Sequence, residues 1–206
     1  MKFAAATLNG AALVVGVSLF ACALSAAEPA TPRKAPELAF TVPGQGQKLL
    51  SQYRGKVVAL EFIFTTCPHC RDASIMMSRL QEEFGPRGFQ ALDVAVNDNA
   101  DLLVENFAKD YHIAFPVGYT PQPQMLAFMG FPDPYFVVPQ LVLIDRAGVI
   151  RYQTPAHENE AWDKLMKPEN IRAHIEELLG GGASTKRTST SPAKVALNKG
   201  SAAKSQ

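Results

Sequence analysis

The hydrophobic residues that follow position 56 form a run interrupted by a single charge. The run extends from Val57 to Phe64, is rich in Val, Ile and Phe, and contains Glu61. Its length and composition predict a buried β-strand. Directly behind it, apolar residues recur at the spacing of one helix face, which predicts a helix from Cys67 to Phe84 that Gly85-Pro86 ends. That face consists of Met76, Met77, Leu80 and Phe84.

Elsewhere, apolar stretches of strand length alternate with stretches of helical period. The pattern predicts strands at Phe89–Val96, Phe115–Tyr119, Gln140–Asp145 and Val149–Gln153, with an edge strand at Leu38–Val42. It predicts a helical turn at Leu49–Tyr53 and helices at 101–111, 122–131 and 168–179. Asp101 is the expected N-cap of the first of these helices. The order of elements is that of an α/β fold, with a central mixed β-sheet flanked by helices.

The first 27 residues have the composition of a secretory signal peptide. Lys2 is the only charge before Glu28, the apolar core at Ala11–Ala23 is short for a membrane span, and Ser25-Ala26-Ala27 supplies small residues for cleavage. An alternative is an anchored protein, either through an uncleaved leader or through lipidation of Cys22. Each route places the protein outside the cytoplasm, in the periplasm or another extracytoplasmic space, where disulfide chemistry is sustained.

Charge separates the rest of the chain into a domain and a tail. Residues 28–37 contain three prolines and are expected to form an extended linker. The folded domain is predicted at 38–179, and residues 28–179 together carry 14 basic and 19 acidic side chains. Residues 180–206 carry five basic and no acidic side chains without hydrophobic periodicity, which predicts a disordered basic tail. The net charge of +1 gives no indication of nucleic-acid binding.

The candidate chemistry lies where the first strand meets its helix. Pro68 suits a first helical turn, so Cys67 is expected at the helix N-terminus, where free N–H groups and the dipole favour a thiolate. Cys70 lies one turn further on the same face, a spacing that allows an exchangeable disulfide. Because a thiolate attacks disulfides, Cys67 is the predicted nucleophile and Cys70 the resolving thiol. His69 can stabilise the Cys67 thiolate, which favours an oxidising pair.

Glu61 stands six residues before Cys67 in an otherwise apolar strand. One interpretation is a carboxylate at the strand end that reaches water. The other is a buried acid beneath the disulfide that carries the proton of Cys70, because burial raises the pKa of a carboxyl group toward the range useful for proton transfer. We favour the second, since an unpaired charge is rarely buried in such a strand.

Two parts of the sequence resemble known redox proteins. Leu60-Glu61-Phe62 with Cys67-Pro68-His69-Cys70 resembles the active-site strand and motif of DsbA-type periplasmic oxidases. The segments 53–58 and 139–148 resemble the TlpA/ResA redoxin branch of the thioredoxin superfamily, and the likeness covers roughly residues 36–179. It implies a thioredoxin fold. Thr66 stands where many members have Trp, and Ala73 where some reductases have Glu, so the direction of electron flow stays open.

The resemblance also implies how substrates bind. Pro139 would follow a cis peptide bond and face the two cysteines. The backbone of Val138 would then pair with an extended substrate strand. Pro68 and His69, which lie between the cysteines, complete the predicted substrate contacts.

We therefore predict an exported thiol–disulfide oxidoreductase that acts on protein thiols and disulfides through Cys67 and Cys70. We expect no cofactor beyond the redox-active disulfide, no metal, a monomer, and a redox partner in the membrane. A reductase is slightly favoured over an oxidase because of the TlpA/ResA-like frame.

Several other classes of protein fit the sequence less well. A copper chaperone of thioredoxin type would pair the cysteines with a distant histidine, but such proteins usually have three residues between the cysteines, whereas here there are two. Zinc needs four ligands, and the only other cysteine is Cys22. A peroxidase of the peroxiredoxin type would have Thr where Phe64 stands. A structural disulfide would not need the strand, motif and helix in this order, and a non-catalytic interaction domain is disfavoured because both cysteines are present.

Overall fold

The structure is a computed structural model that describes residues 28–180 of the 206-residue chain. The predicted signal peptide, Cys22 and the basic tail after Gly180 lie outside the described residues. The strands are β1 (Arg33–Lys34), β2 (Ala39–Val42), β3 (Gly46–Leu49), β4 (Val57–Ile63), β5 (Phe89–Ala95), β6 (Val117–Tyr119), β7 (Gln140–Ile144) and β8 (Val149–Gln153). The helices are α1 (Pro68–Phe84), α2 (Ala100–Asp110), α3 (Gln122–Met129), α4 (Glu160–Met166) and α5 (Pro168–Gly180).

The predicted fold class is confirmed, because a mixed sheet runs through the molecule with helices on both faces. The strand order is β1-β8-β7-β4-β5-β6-β2-β3, with β4 parallel to β5 and antiparallel to β7. All seven residues of β4 are buried, as expected for a strand covered on both faces. Among residues 28–180, none of the helices combines the length and the apolar character that crossing a membrane requires.

The two faces of β4 belong to different layers of the core. Leu60 and Phe62 pack in a cluster that includes Met125 and Phe128 of α3. Val57 and Ala59 point the other way, into a cluster with residues of α1 and α5. Because side chains alternate along a strand, Glu61 lies on this second face, beneath α1.

Two expectations about the start of the chain are corrected. The segment 28–37 is extended but is held against the domain, since β1 pairs with β8 and the Arg33 guanidinium donates to Gln153 Oε1 at 2.6 Å. Glu28 Oε1 accepts the N–H of Ala156 at 3.0 Å. The predicted edge strand, β2, is an inner strand because β3 pairs beyond it. The helical turn at Leu50–Tyr53 is confirmed.

Two helices, α2 and α4, also differ from the prediction in ways that have a physical reason. Helix α2 begins one residue early, behind Asn99 in a left-handed conformation, so Asp101 lies in the first turn and is not the N-cap. At that position its negative charge still interacts favourably with the positive end of the helix dipole. Helix α4 was not predicted; its N-cap is Asn159, whose Oδ1 accepts the N–H groups of Ala161 and Trp162 at 2.9 and 3.0 Å.

The close approach of β6 to β2 yields a prediction about stability. A Cβ at Gly118 would lie 2.7 Å from the carbonyl oxygen of Thr41 and 2.8 Å from a ring carbon of Phe40. Gly118→Ala should therefore lower the free energy of unfolding by about 1–3 kcal/mol, the usual effect of overpacking, as measured by urea denaturation. Gly180→Ala is the control, since a Cβ there meets no atom within 4 Å. Equal stability of Gly118→Ala and wild type would contradict this account of the packing.

Candidate redox-active site

Cys67 occupies the N-terminus of α1, as the sequence predicted. It is the N-cap residue, Pro68 is the first helical residue, and Cys67 Sγ accepts the N–H of Cys70 at 3.4 Å. The N–H of Cys67 is itself bonded to the carbonyl of Phe64 at 3.0 Å, which fixes the turn between β4 and α1. The sulfur therefore receives one of the N–H groups that a helix start leaves unpaired.

The two cysteines, both free thiols, differ sharply in exposure. Cys67 is half-buried, whereas Cys70 is fully buried in the cluster beneath α1. Burial raises the pKa of the Cys70 thiol far above its usual range. Cys67 is thus the thiol that an incoming disulfide can reach, whereas Cys70 is shielded from it.

The loop before β7 faces Cys67, and the Val138–Pro139 peptide bond is cis, as the resemblance implied. Cys67 Sγ lies 4.0 Å from the carbonyl oxygen of Val138. The N–H of Val137 is bonded to Ala156 O at 2.9 Å, while no hydrogen bond within residues 28–180 engages the N–H of Val138. An unengaged N–H beside the nucleophile is available to a substrate backbone.

Pro68 and His69 are exposed on the same surface. No hydrogen bond in the described part of the chain joins His69 to Cys67. His69 instead lines a groove of about 480 Å³, together with Pro139 and the α4 residues Trp162 and Met166. This groove was not predicted, because α4, which forms one side of it, was not predicted either.

Glu61 is fully buried beneath α1, so the interpretation as a strand-end carboxylate in water is wrong. Neither carboxyl oxygen has a hydrogen-bond partner among residues 28–180. Burial, reinforced by the nearby carboxyl group of Asp93, raises the pKa of Glu61 well above its usual range. The raised pKa favours the protonated form of Glu61, and a buried acid of this kind can act in proton transfer.

Two residues near Glu61, Asp93 and Ser74, were not predicted as part of the site. Asp93 lies beside Glu61 on the neighbouring parallel strand and is also fully buried. Ser74 Oγ lies 2.5 Å from Asp93 Oδ2 and 2.9 Å from the carbonyl oxygen of Cys70. Burial raises the pKa of Asp93 to about 7, although the contact with Ser74 opposes this. A lone acid within the apolar run Phe89–Ala95 was the available signal, the same one that marked Glu61.

The sequence of residues 32–153 matches the model of the AhpC/TSA family. The chain belongs to this family. It is 30% identical to "Thiol-disulfide oxidoreductase ResA" of Geobacillus kaustophilus over 146 residues, which are 70% of this chain and 75% of the relative. The ResA of Geobacillus thermodenitrificans is also 30% identical, over 63% of this chain and 67% of its own length. The resemblance to the ResA-type redoxins is thereby confirmed.

Solved structures place this AhpC/TSA-family chain in the thioredoxin fold. A Chlorobium tepidum protein provisionally named thiol:disulfide interchange protein DsbE aligns with a TM-score of 0.59 and 26% identity, over 72% of this chain and 97% of its own. A thioredoxin-family thiol:disulfide interchange protein of the same organism gives a TM-score of 0.59 at 24% identity, over 74% and 99%. The predicted thioredoxin fold is confirmed.

The described residues do not favour the metal-binding alternative. Among residues 28–180, no three Cys, His, Asp or Glu side chains are grouped so that they could hold a metal ion.

The unequal exposure of the cysteines predicts the order in which they react. In the reduced protein at pH 7, iodoacetamide should alkylate Cys67 well before Cys70, because Cys70 is buried and its thiol holds its proton. Peptide mass mapping after short exposure measures the order. Cys67→Ser is the control, and it should react slowly. Preferential labelling of Cys70 in the wild-type protein would reverse the assignment of nucleophile and resolving thiol.

Proposed function

We propose that this protein is an exported thiol–disulfide oxidoreductase that exchanges disulfides with protein substrates through Cys67 and Cys70. The observation that carries the proposal is the placement of half-buried Cys67 at the start of α1, opposite the cis peptide bond before Pro139, with Cys70 buried one turn further. The names of the ResA and DsbE relatives point to the same chemistry.

In the reducing direction, the Cys67 thiolate attacks one sulfur of a substrate disulfide. A mixed disulfide forms, and the other substrate sulfur leaves as a thiolate that takes up a proton. Cys70 then loses its proton and attacks Cys67 Sγ, which closes the Cys67–Cys70 disulfide and releases the second substrate thiol. Two electrons pass from the protein to the substrate. The oxidising reaction is the same sequence reversed. Glu61, buried below Cys70, takes part in moving the Cys70 proton.

The substrate is held as an extended segment beside the cis-proline loop. The unengaged N–H of Val138 pairs with the substrate backbone, as in the addition of a strand. Pro68, His69 and Pro139 form the surface around the mixed disulfide. A protein substrate suits this arrangement because backbone pairing recognises a chain rather than a particular side chain.

The direction of electron flow and the location of the protein are inferred from the sequence. His69 favours an oxidising pair, whereas the TlpA/ResA-like frame favours a reductase supplied with electrons by a membrane partner; we favour the reductase slightly. The signal peptide directs the protein to the periplasm or another extracytoplasmic space, released or anchored through its N-terminus or a lipidated Cys22. No cofactor beyond the disulfide takes part, and the protein acts as a monomer.

A peroxidase is the less suitable function for an AhpC/TSA-family protein with this site. Three residues before Cys67, where a peroxidase of the peroxiredoxin type has the hydroxyl of Thr, stands Phe64. Its ring packs edge-on against Phe136 with centroids 6.0 Å apart. That position therefore has no side-chain donor for a peroxide.

Mixed-disulfide trapping tests the proposed function. Cys70→Ser should accumulate covalent adducts with disulfide proteins from the periplasm, because the Cys67 adduct can no longer be resolved. Non-reducing electrophoresis and mass spectrometry measure the adducts, and wild type should catalyse insulin reduction by dithiothreitol. Cys67→Ser is the control and should form no adduct. A wild-type protein that neither reduces insulin nor oxidises a dithiol peptide, yet binds Cu(I) tightly, would point to the metal-binding class instead.

The exposed histidine between the cysteines leads to a prediction about the reduction potential of the pair. The Cys67–Cys70 pair should have a potential well above the about −270 mV of thioredoxin, and His69→Pro should lower it, because the histidine favours the reduced thiolate form. Equilibration with glutathione redox buffers measures both values. Glu82→Gln, on the exposed far end of α1, is the control and should leave the potential unchanged. A wild-type value at or below that of thioredoxin would overturn the argument from His69.

A further inference from the structure

The two buried acids beneath Cys70 lie side by side. Glu61 of β4 and Asp93 of β5 are register partners on parallel strands, and both are fully buried. Three of their four carboxyl oxygens have no hydrogen-bond partner in the described part of the chain. The fourth, Asp93 Oδ2, is 2.5 Å from Ser74 Oγ. Within residues 28–180, the only hydrogen bond between the acid pair and α1 is therefore the one between Asp93 and Ser74.

The contacts of Ser74 indicate how many protons the cluster holds. Its hydroxyl carries one hydrogen but has two short contacts, to Asp93 Oδ2 and to the carbonyl oxygen of Cys70. The carbonyl can only accept, so both contacts are hydrogen bonds at once only if Asp93 is protonated and donates to Ser74 Oγ. When Asp93 is ionised, the Ser74 hydrogen is drawn to its carboxylate instead. Asp93 is thus the member of the pair whose ionised form has a donor.

Among residues 28–180, Glu61 and Asp93 are the only charged side chains that are buried, so no buried cation holds either acid ionised. Across the sheet, Leu141 of β7 is the register partner of Glu61, and Val117 of β6 is that of Asp93. The core cluster around Cys70 is otherwise apolar, with Ile63, Ala95 and Val104 among its members. Within residues 28–180, the titratable groups in or against this cluster are therefore the two acids, the two cysteines and the partly buried Tyr119 of β6.

We propose that Asp93 is the final acceptor of the Cys70 proton, and that Glu61 relays it as a neutral acid. The S–H bond of Cys70 breaks as one oxygen of Glu61 gains a proton. The O–H bond at the other oxygen of Glu61 breaks as Asp93 gains that proton, directly or through one water. The negative charge moves from Asp93 to the Cys70 sulfur, which uses it to attack Cys67. This inference rests on the proposed thiol–disulfide exchange, and it makes Asp93 and Ser74 positioning residues for the resolving step.

The relay explains why a single acid would not be enough to remove the proton of Cys70. No group within residues 28–180 donates a hydrogen bond to Glu61, so its protonated form is favoured over the carboxylate that a base would need. A protonated carboxylic acid can still take a proton at one oxygen while it gives one from the other. Asp93, with a pKa of about 7 and the Ser74 hydroxyl as donor, is ionised in part of the molecules at neutral pH. In the mixed disulfide Cys67 no longer carries a thiolate charge, which removes one of the smaller causes that raise the pKa of Cys70.

An aromatic disulfide separates the two chemical steps. Dithiobis(nitrobenzoate) releases one coloured thiolate when Cys67 attacks it and a second when Cys70 resolves the adduct, and this leaving group needs no proton. In stopped-flow absorbance the second phase of wild type should accelerate with pH around a midpoint near 7, as Asp93 ionises. Asp93→Asn should slow the second phase at pH 7.5 by about tenfold or more and remove that midpoint, with the first phase within about twofold of wild type.

Two further variants keep the inference testable if Asp93→Asn folds poorly. Ser74→Ala should shift the midpoint to higher pH, because the Asp93 carboxylate loses its donor. Glu61→Gln should slow the second phase as Asp93→Asn does, and the double variant should be no slower than the slower single variant, as expected for groups in series. Ser78→Ala, a buried serine one turn along α1 that accepts the N–H of Ala114, is the matched control and should behave as wild type.

The relay would be overturned if Asp93→Asn kept the wild-type pH profile of the second phase. It would also be overturned if Asp93→Asn slowed both phases equally while Ser74→Ala matched wild type, since that result describes a structural role. The proposed function fails by a different observation, the absence of exchange with insulin or with a dithiol peptide. The two failures are therefore read from separate measurements.

Discussion

The structure depends on the complete burial of β4 between β5 and β7. All seven of its residues are inaccessible to solvent, so the strand fixes three things together. Its apolar side chains hold both layers of the core, and its carboxyl end sets the position of Cys67, the N-cap of α1. Its one acid, Glu61, is kept away from bulk solvent beneath α1. A redox pair at the end of a less buried strand would have bulk water as its base.

Burying two acids this way lowers the stability of the fold. Asp93 has an ordinary pKa of 3.8 and a folded pKa of about 7, so the folded state retains a proton that the unfolded state has lost. The contribution of this raised pKa to the free energy of unfolding is thus fully present below about pH 4, and it is lost progressively as the pH rises toward 7. A hydrophobic residue at position 93 would avoid this loss. The acid pair is therefore easier to understand as part of the chemistry than as part of the packing.

The sequence was sufficient wherever the structure is decided by neighbours along the chain. Strand β4, helix α1, the β7–β8 hairpin and the order of the two cysteines follow from local periodicity, turn residues and the motif spacing. What it missed depends on distant contacts: β1 exists because it pairs with β8, and the link between Asp93 and Glu61 needs the register of two parallel strands. Helix α4 has seven residues, too few for a clear hydrophobic period, and the groove beside His69 was missed with it.

Different residues set the reduction potential of the Cys67–Cys70 pair and the rate at which it reacts. A free thiol already holds its proton at pH 7, so the further rise in the pKa of Cys70 on burial adds little to the reduction potential at that pH. The potential is instead governed by what surrounds Cys67: the helix start, the N–H of Cys70 and the exposed motif residues Pro68 and His69. In the proposed relay, the buried acids act on the rate at which Cys70 becomes a nucleophile. Substitutions at the surface can therefore adjust the direction of electron flow without altering the proton path below it.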